Sequence, residues 1–143
     1  MRSRYPNKQA SCCSFVDPAA CLTAPGDPEA LRQQMLRTVL RQWRAGVDPV
    51  SAGLPTRARR RPGLTCEDVA ELAGLSVRWY MLFESASTKH RYSPRAVDRI
   101  AGALRIGNRD RALLHVMASP EAFHSVRLLL EAQHQQHVVV SAA

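Results

Sequence analysis

An all-helical protein is expected, and three features of the 143-residue chain carry that expectation. Apolar residues recur at steps of three and four in successive segments, the spacing that gathers them on one face of an α-helix. Several of those segments open on a capping residue followed by proline or an acid, which are helix-start signals. Strand-type alternation is missing. Val138–Val140 is the one strand-like run, and it is too short and too terminal to count.

Residues 1–26 mix Pro6, Asn7, Ser11, Ser14, Pro18, Pro25 and Gly26 without sustained periodicity. They are expected to be disordered or loosely attached. The first helix then starts cleanly. Asp27 caps it, Pro28 suits the first helical position and Glu29 favours the positive helix end. Leu31, Met35, Leu36, Val39, Leu40 and Trp43 form its apolar stripe, with Arg32, Arg37, Arg41 and Arg44 between them, and Gly46 ends it. A connection follows, punctuated by Pro49, Gly53, Pro55, Pro62 and Gly63. Thr65 caps a short second helix running to Ala73, with Asp68 completing a variant of the capping box. Gly74-Leu75-Ser76 breaks it, and Ser76 caps a third helix through about Ser85.

Ser93-Pro94 opens a fourth helix with Val97, Ile100, Ala101 and Leu104 on one face. Gly107-Asn108 separates it from a fifth, whose inward residues are Ala112, Leu113, Val116 and Met117. Ser119-Pro120-Glu121 starts a last helix over residues 120–137, with Phe123, Val126, Leu129 and Leu130 as its stripe. The expected division is a segment 1–26, a domain 27–118, and a C-terminal helix and tail 119–143.

The formal charge is +8, carried by 18 Arg together with Lys8 and Lys89 against 12 acids. Residues 28–63 hold eight Arg and two acids, and residues 93–118 hold five Arg and two acids. The positive charge therefore sits in the middle of the chain. Arginine suits phosphate and base-edge recognition because its planar fork donates two parallel hydrogen bonds. No apolar run approaches the ~20 residues of a membrane helix. Cys12, Cys13, Cys21 and Cys66 contain no C-x-x-C pair. A reducing, cytoplasmic setting near the nucleoid is expected, with no disulfide framework. No phosphate-binding glycine loop, nucleophile elbow or His-Glu-x-x-His run is present. No enzymatic activity, cofactor or metal is expected. His124, His134 and His137 have no neighbouring carboxylate or cysteine to complete a metal site and are read as solvated.

Residues 66–83 hold the specific signal. Two short helices can cross steeply only with a small residue where they touch and a residue tolerant of positive φ at the turn. Ala70 supplies the first and Gly74 the second. Val69, Ala73, Tyr80 and Phe83 supply the apolar faces. The run Leu64-Thr65-Cys66-Glu67-Asp68-Val69-Ala70-Glu71-Leu72-Ala73-Gly74-Leu75-Ser76, continued by Tyr80 to Glu84, resembles the phage-repressor-like (XRE) helix-turn-helix family. The preceding Ser51 to Arg61 looks like an actinomycete subgroup that often carries a C-terminal sensing domain, for which this chain has no room. The resemblance covers residues 29–118. It implies a five-helix repressor-like helix-turn-helix domain, here with one extra C-terminal helix. The chain departs from the family at Cys66, where Gln is common, at Leu82, where Arg is common, and at Ser85-Ala86-Ser87, where Gly is common.

On this reading the partner is double-stranded DNA and the protein is a sequence-specific transcriptional regulator. The recognition helix, residues 76–85, presents Ser76, Val77, Arg78, Trp79 and Met81 to the major groove. Arg78 is the candidate for a bidentate contact to guanine, and Val77 or Met81 for a thymine methyl. Trp79 is open between a core edge and a phosphate-side contact. Tyr80 and Phe83 belong to the core. Glu84 pairs with an arginine, since phosphate would repel it. Phosphate contacts are assigned to Arg57, Arg59, Arg60 and Arg61 of the connection, to Thr65 and Cys66 at a helix N-terminus, and to Lys89, His90 and Arg91 after the recognition helix. The C-terminal helix either packs on the domain or makes a homodimer, which would match a palindromic operator. The alternative function is an interaction module that binds another regulator or a sigma factor with little DNA affinity.

Overall fold

The start signals act where they stand. In the computed structural model, which describes residues 26–56, 58–87 and 90–141, six α-helices and no strand occur. They are α1 (Pro28–Gly46), α2 (Cys66–Ala73), α3 (Val77–Glu84), α4 (Pro94–Ala103), α5 (Asn108–Ala118) and α6 (Pro120–Ser141). Asp27, Thr65, Ser76, Ser93 and Ser119 each accept a backbone N–H of the helix that follows, satisfying donors that the helix itself leaves open. Thr65 and Asp68 form a reciprocal capping box. The expected disorder of residues 1–26 falls, up to residue 25, outside the described residues, as do Arg57 and Lys89.

One apolar core joins all six helices. Leu36 and Leu40 of α1, Val69 and Ala70 of α2, Tyr80 and Phe83 of α3, Val97 and Ile100 of α4, Leu114 and Met117 of α5 and Phe123 of α6 belong to it. Burial of such side chains contributes about 1.5–3 kcal/mol each relative to exposure. α2 packs against α3 and α4; α1 packs across α3, α5 and α6.

Two expectations shift by a register. In α5, Ala112 is exposed and Leu114 is fully buried. α5 touches α1, α4 and α6, so its buried face is set by three neighbours and not by one stripe. In α6, Leu129 is 66% exposed. The helix docks through Phe123 and, one position beyond Leu129, through the half-buried Leu130, and α6 then continues past residue 137 to Ser141, taking Val138–Val140 into helix.

A third finding concerns charge. Arg32 is buried at 1% exposure within the apolar stripe of α1. Its Nε and Nη2 donate to the Glu29 carboxylate at 2.8 and 2.5 Å, and its Nη1 donates to the Met117 carbonyl at 2.6 Å. Met117 ends α5, where carbonyls lack helical partners and a cation is favoured.

Candidate nucleic-acid interface

The connection from α2 to α3 is three residues long and is built on Gly74. Gly74 adopts φ 61, ψ 40, and its N–H returns to the Glu71 carbonyl while the Leu75 N–H returns to Ala70. These two bonds close a Schellman motif, which needs the left-handed residue that glycine supplies without steric cost. Arg99 of α4 donates to the Gly74 carbonyl at 2.6 Å, and a Cβ on residue 74 would stand 2.3 Å from that guanidinium. Ala70 is fully buried at the contact between the two helices.

α3 is thereby held at its start, and arginines of α1 hold its end. Arg37 Nε donates to the Ser85 carbonyl at 3.1 Å. Glu84 is buried and accepts from Arg44 at 3.0 Å and from Arg41 at 3.4 Å, while Arg44 also donates to the Leu64 carbonyl at 2.9 Å. The expected pairing of Glu84 with an arginine is therefore present. Burial alone would lower the Arg44 pKa, but the Glu84 charge and hydrogen bond outweigh it and the net shift is upward. Tyr80 and Phe83 are fully buried, as expected. Burial first, and the Glu84 charge second, raise the Tyr80 phenol well above its ordinary value. Ala86 takes φ 55 with its methyl 1% exposed. Left-handed backbone costs a non-glycine residue about 1–2 kcal/mol. The buried methyl returns about 0.8 kcal/mol of that, so alanine is tolerated where the resembling family has glycine.

The outer face of α3 is left free. Ser76 and Arg78 are exposed, Val77 is 36% exposed and Met81 56% exposed. Trp79 is half-buried, stacked on Phe83 at 5.6 Å between centroids and met edge-on by Tyr92 at 5.2 Å. Of its two alternatives, the core edge is the one realised. Tyr92 is itself fastened, its hydroxyl donating to the Leu82 carbonyl at 3.0 Å.

The remaining candidates separate. Arg60 and Arg61 are exposed and, with Arg41 and Thr65, line a groove between the end of α1 and the start of α2. Gly63 brings that loop against α1; at φ 86 its Cα is so close that a Cβ would lie 2.5 Å from the Ala45 Cα. Ser76, Arg78, Trp79, His90 and Arg91 share a slot beside α3.

Two candidates have side-chain partners within the protein. Arg59 is not a free backbone-tracking side chain: its Nη1 donates to the buried Asp68 carboxylate at 2.6 Å, in the capping box of α2. Cys66 is a candidate through the N–H groups of its helix start, and its thiol is turned inward instead. The Sγ lies 3.8 Å from Glu84, and burial first, then the Glu84 charge, raises its pKa. Glu67 adds an exposed carboxylate to the same first turn, which a phosphate disfavours.

The clamping set Arg37, Arg41, Arg44 and Arg99 was not recognised from sequence. Within the sequence only the spacings of Glu29 with Arg32 and of Arg127 with Glu131 hint at arginine pairing, because the partners of the clamping set are far along the chain. Among the described residues no helix is long and apolar enough to cross a membrane, and no group of His, Cys, Asp or Glu is arranged to hold a metal ion. The chain matches no family model, no curated protein and no solved structure, so the argument for function rests on this geometry.

Proposed function

We propose that the protein is a sequence-specific DNA-binding transcriptional regulator of the phage-repressor-like helix-turn-helix kind, with α2 and α3 as the motif and α3 entering the major groove. The observation that carries this reading is the contrast between the two sides of α3. Its inner residues Tyr80, Phe83 and Glu84 are buried and its ends are held by Arg99 and Arg37, while Ser76, Val77, Arg78 and Met81 project outward. A base-reading helix needs that combination of a rigid mount and a free face. Arg78 contacts guanine and Val77 or Met81 a thymine methyl. Arg60 and Arg61, with His90 and Arg91, hold phosphates on either side.

The test is selection of bound sequences from a random duplex pool, repeated with Arg78→Ala. The variant loses about 1–3 kcal/mol of discrimination at one base pair. Unchanged affinity and unchanged preference would remove α3 from the groove.

A homodimer completes the proposal. Leu128 and Leu129, 51% and 66% exposed on α6, are its contact. Sedimentation at micromolar concentration reads a dimer; a monomer at every concentration removes this part.

The second reading is a protein-interaction module, and the apolar pair Val77 and Met81 on the same face favours it. Salt separates the two. Binding through about five phosphates weakens steeply between low and physiological salt, whereas an apolar partner contact does not.

A further inference from the structure

The slot beside α3 has a chemistry that base reading does not use. It is a concavity of about 250 Å³ whose walls are Trp79, Leu82 and Tyr92. Arg78, Arg91, His90 and Ser76 complete its lining, so two arginines stand within reach of a bound group. The Ser76 oxygen accepts from the backbone N–H of Trp79, which leaves its own hydrogen available to an anion.

The aromatic walls are pre-ordered. Trp79, Phe83 and Tyr92 support one another at 4.9 to 5.6 Å, and the Tyr92 hydroxyl is tied to the Leu82 carbonyl. Trp79 remains only half-buried by this packing, so part of the indole faces the slot. Arg78 has no hydrogen bond or ion pair among the described residues. Arg91 is 97% exposed, and its approach to Glu121, at 3.7 Å, is an ion pair left in water, worth little. No acidic side chain lines the slot.

Flat apolar walls with two arginines within reach complement a ring that bears a carboxylate. Stacking rewards the ring, and a guanidinium fork rewards the carboxylate with charge-assisted, bidentate geometry. The volume is below that of sites for drug-sized ligands, which sets the size at one or two fused rings.

We propose that this slot binds a small planar aromatic carboxylate, and that its occupancy and duplex binding exclude one another at Arg78. Binding in the slot goes beyond the DNA reading. The exclusion rests on that reading.

The first measurement uses the full chain with no DNA. Benzoate is titrated while the indole N–H signals of Trp79 and Trp43 are followed by NMR. Benzoate shifts the Trp79 signal saturably and leaves Trp43 in place. Benzyl alcohol, which keeps the ring, and acetate, which keeps the carboxylate, each bind at least about tenfold more weakly, the loss of one charged hydrogen bond or of the ring's burial. Arg91→Ala weakens benzoate by about tenfold as well, and its exposed position keeps the fold out of the result. The proposal is overturned by any of three results: no saturable shift, equal binding of acetate or benzyl alcohol, or unchanged affinity in Arg91→Ala.

The second measurement adds the selected duplex. Saturating benzoate raises the apparent Kd for DNA, and undiminished DNA affinity overturns the exclusion. A chain that binds benzoate as described but no duplex at any salt supports the slot and overturns the DNA reading, so the two failures are distinct.

Discussion

Helix α1 and the connection that follows it each carry four arginines, and the fold commits every one in α1 but only one of the three described in the connection. Every arginine of α1 is bonded to protein. Arg32 holds Glu29 and the end of α5, Arg37 holds the end of α3, and Arg41 and Arg44 hold Glu84. In the connection, Arg59 is tied to Asp68, but Arg60 and Arg61 are exposed and have no hydrogen bond or ion pair among the described residues. The lesson is about counting. A regional excess of positive charge does not locate a nucleic-acid face, because a guanidinium already paired with a carboxylate releases few counterions from a duplex. Uncommitted guanidinium groups are the better guide for the proposed interface, and among the described residues these are Arg60, Arg61, Arg78, Arg95 and Arg109, of which the first three flank or stand on α3 and its loop.

The comparison breaks most visibly at Arg32. Arg32→Ala strips a buried ion pair of its cation and opens a void against Met117. A loss of about 3 kcal/mol in urea unfolding is expected. A loss below about 0.5 kcal/mol, the usual scale for exposed surface substitutions, would place Arg32 with the free set.

Arg44→Ala is next. It leaves the buried Glu84 with Arg41 alone and removes the bond to the Leu64 carbonyl. About 2 kcal/mol of stability should go, and DNA preference should blur because the end of α3 loosens. Retained stability with lost DNA affinity would make Arg44 a contact residue and not a clamp.

Arg60→Ala sharpens the other side. Its folding stability should stay within about 0.5 kcal/mol of the parent. Binding to all duplexes should weaken alike, with the salt slope reduced by about one. A sequence-dependent loss would mean that Arg60 reads bases.

The smallest effect is a pH dependence. The hydrogen bonds from Arg32 hold the Glu29 carboxyl below its ordinary value of 4.5 against the opposing effect of burial. A depressed folded pKa means that the folded state holds the charged form more tightly than the unfolded chain does. That contribution is complete above about pH 4.5 and fades as the pH falls through the lower folded value. In Arg32→Ala this part of the acid dependence should shrink, as measured by denaturant unfolding across the acid range. An unaltered profile would detach Glu29 from Arg32.

The tight turn was open to sequence reasoning because its requirement is local. Only a residue at ease with positive φ closes a Schellman motif, and Gly74 stands there. Tyr80 and Phe83 were readable as core for a similar reason, since their spacing sets them on one side of a short helix. Trp79 was not decidable that way. Its neighbour Tyr92 belongs to the segment after α3, and only the folded chain brings the two rings to 5.2 Å. The surroundings of the Cys66 thiol were not legible either, because the nearby Glu84 lies 18 residues away. Leu129 is exposed while Leu130 beside it is packed, because periodicity reports that a stripe exists and not which of two adjacent residues meets the neighbouring helix.

The sequence alone determined where each helix starts and, except for α6, about where it stops, because caps, prolines and turn glycines act within about one turn of backbone. It also determined that α3 has an apolar side. The tertiary structure alone decided which cations are committed and which remain available. A guanidinium finds its acceptor through space, and the acceptors of Arg44 and Arg32 lie 40 and 85 residues away in Glu84 and Met117, beyond the reach of any spacing rule.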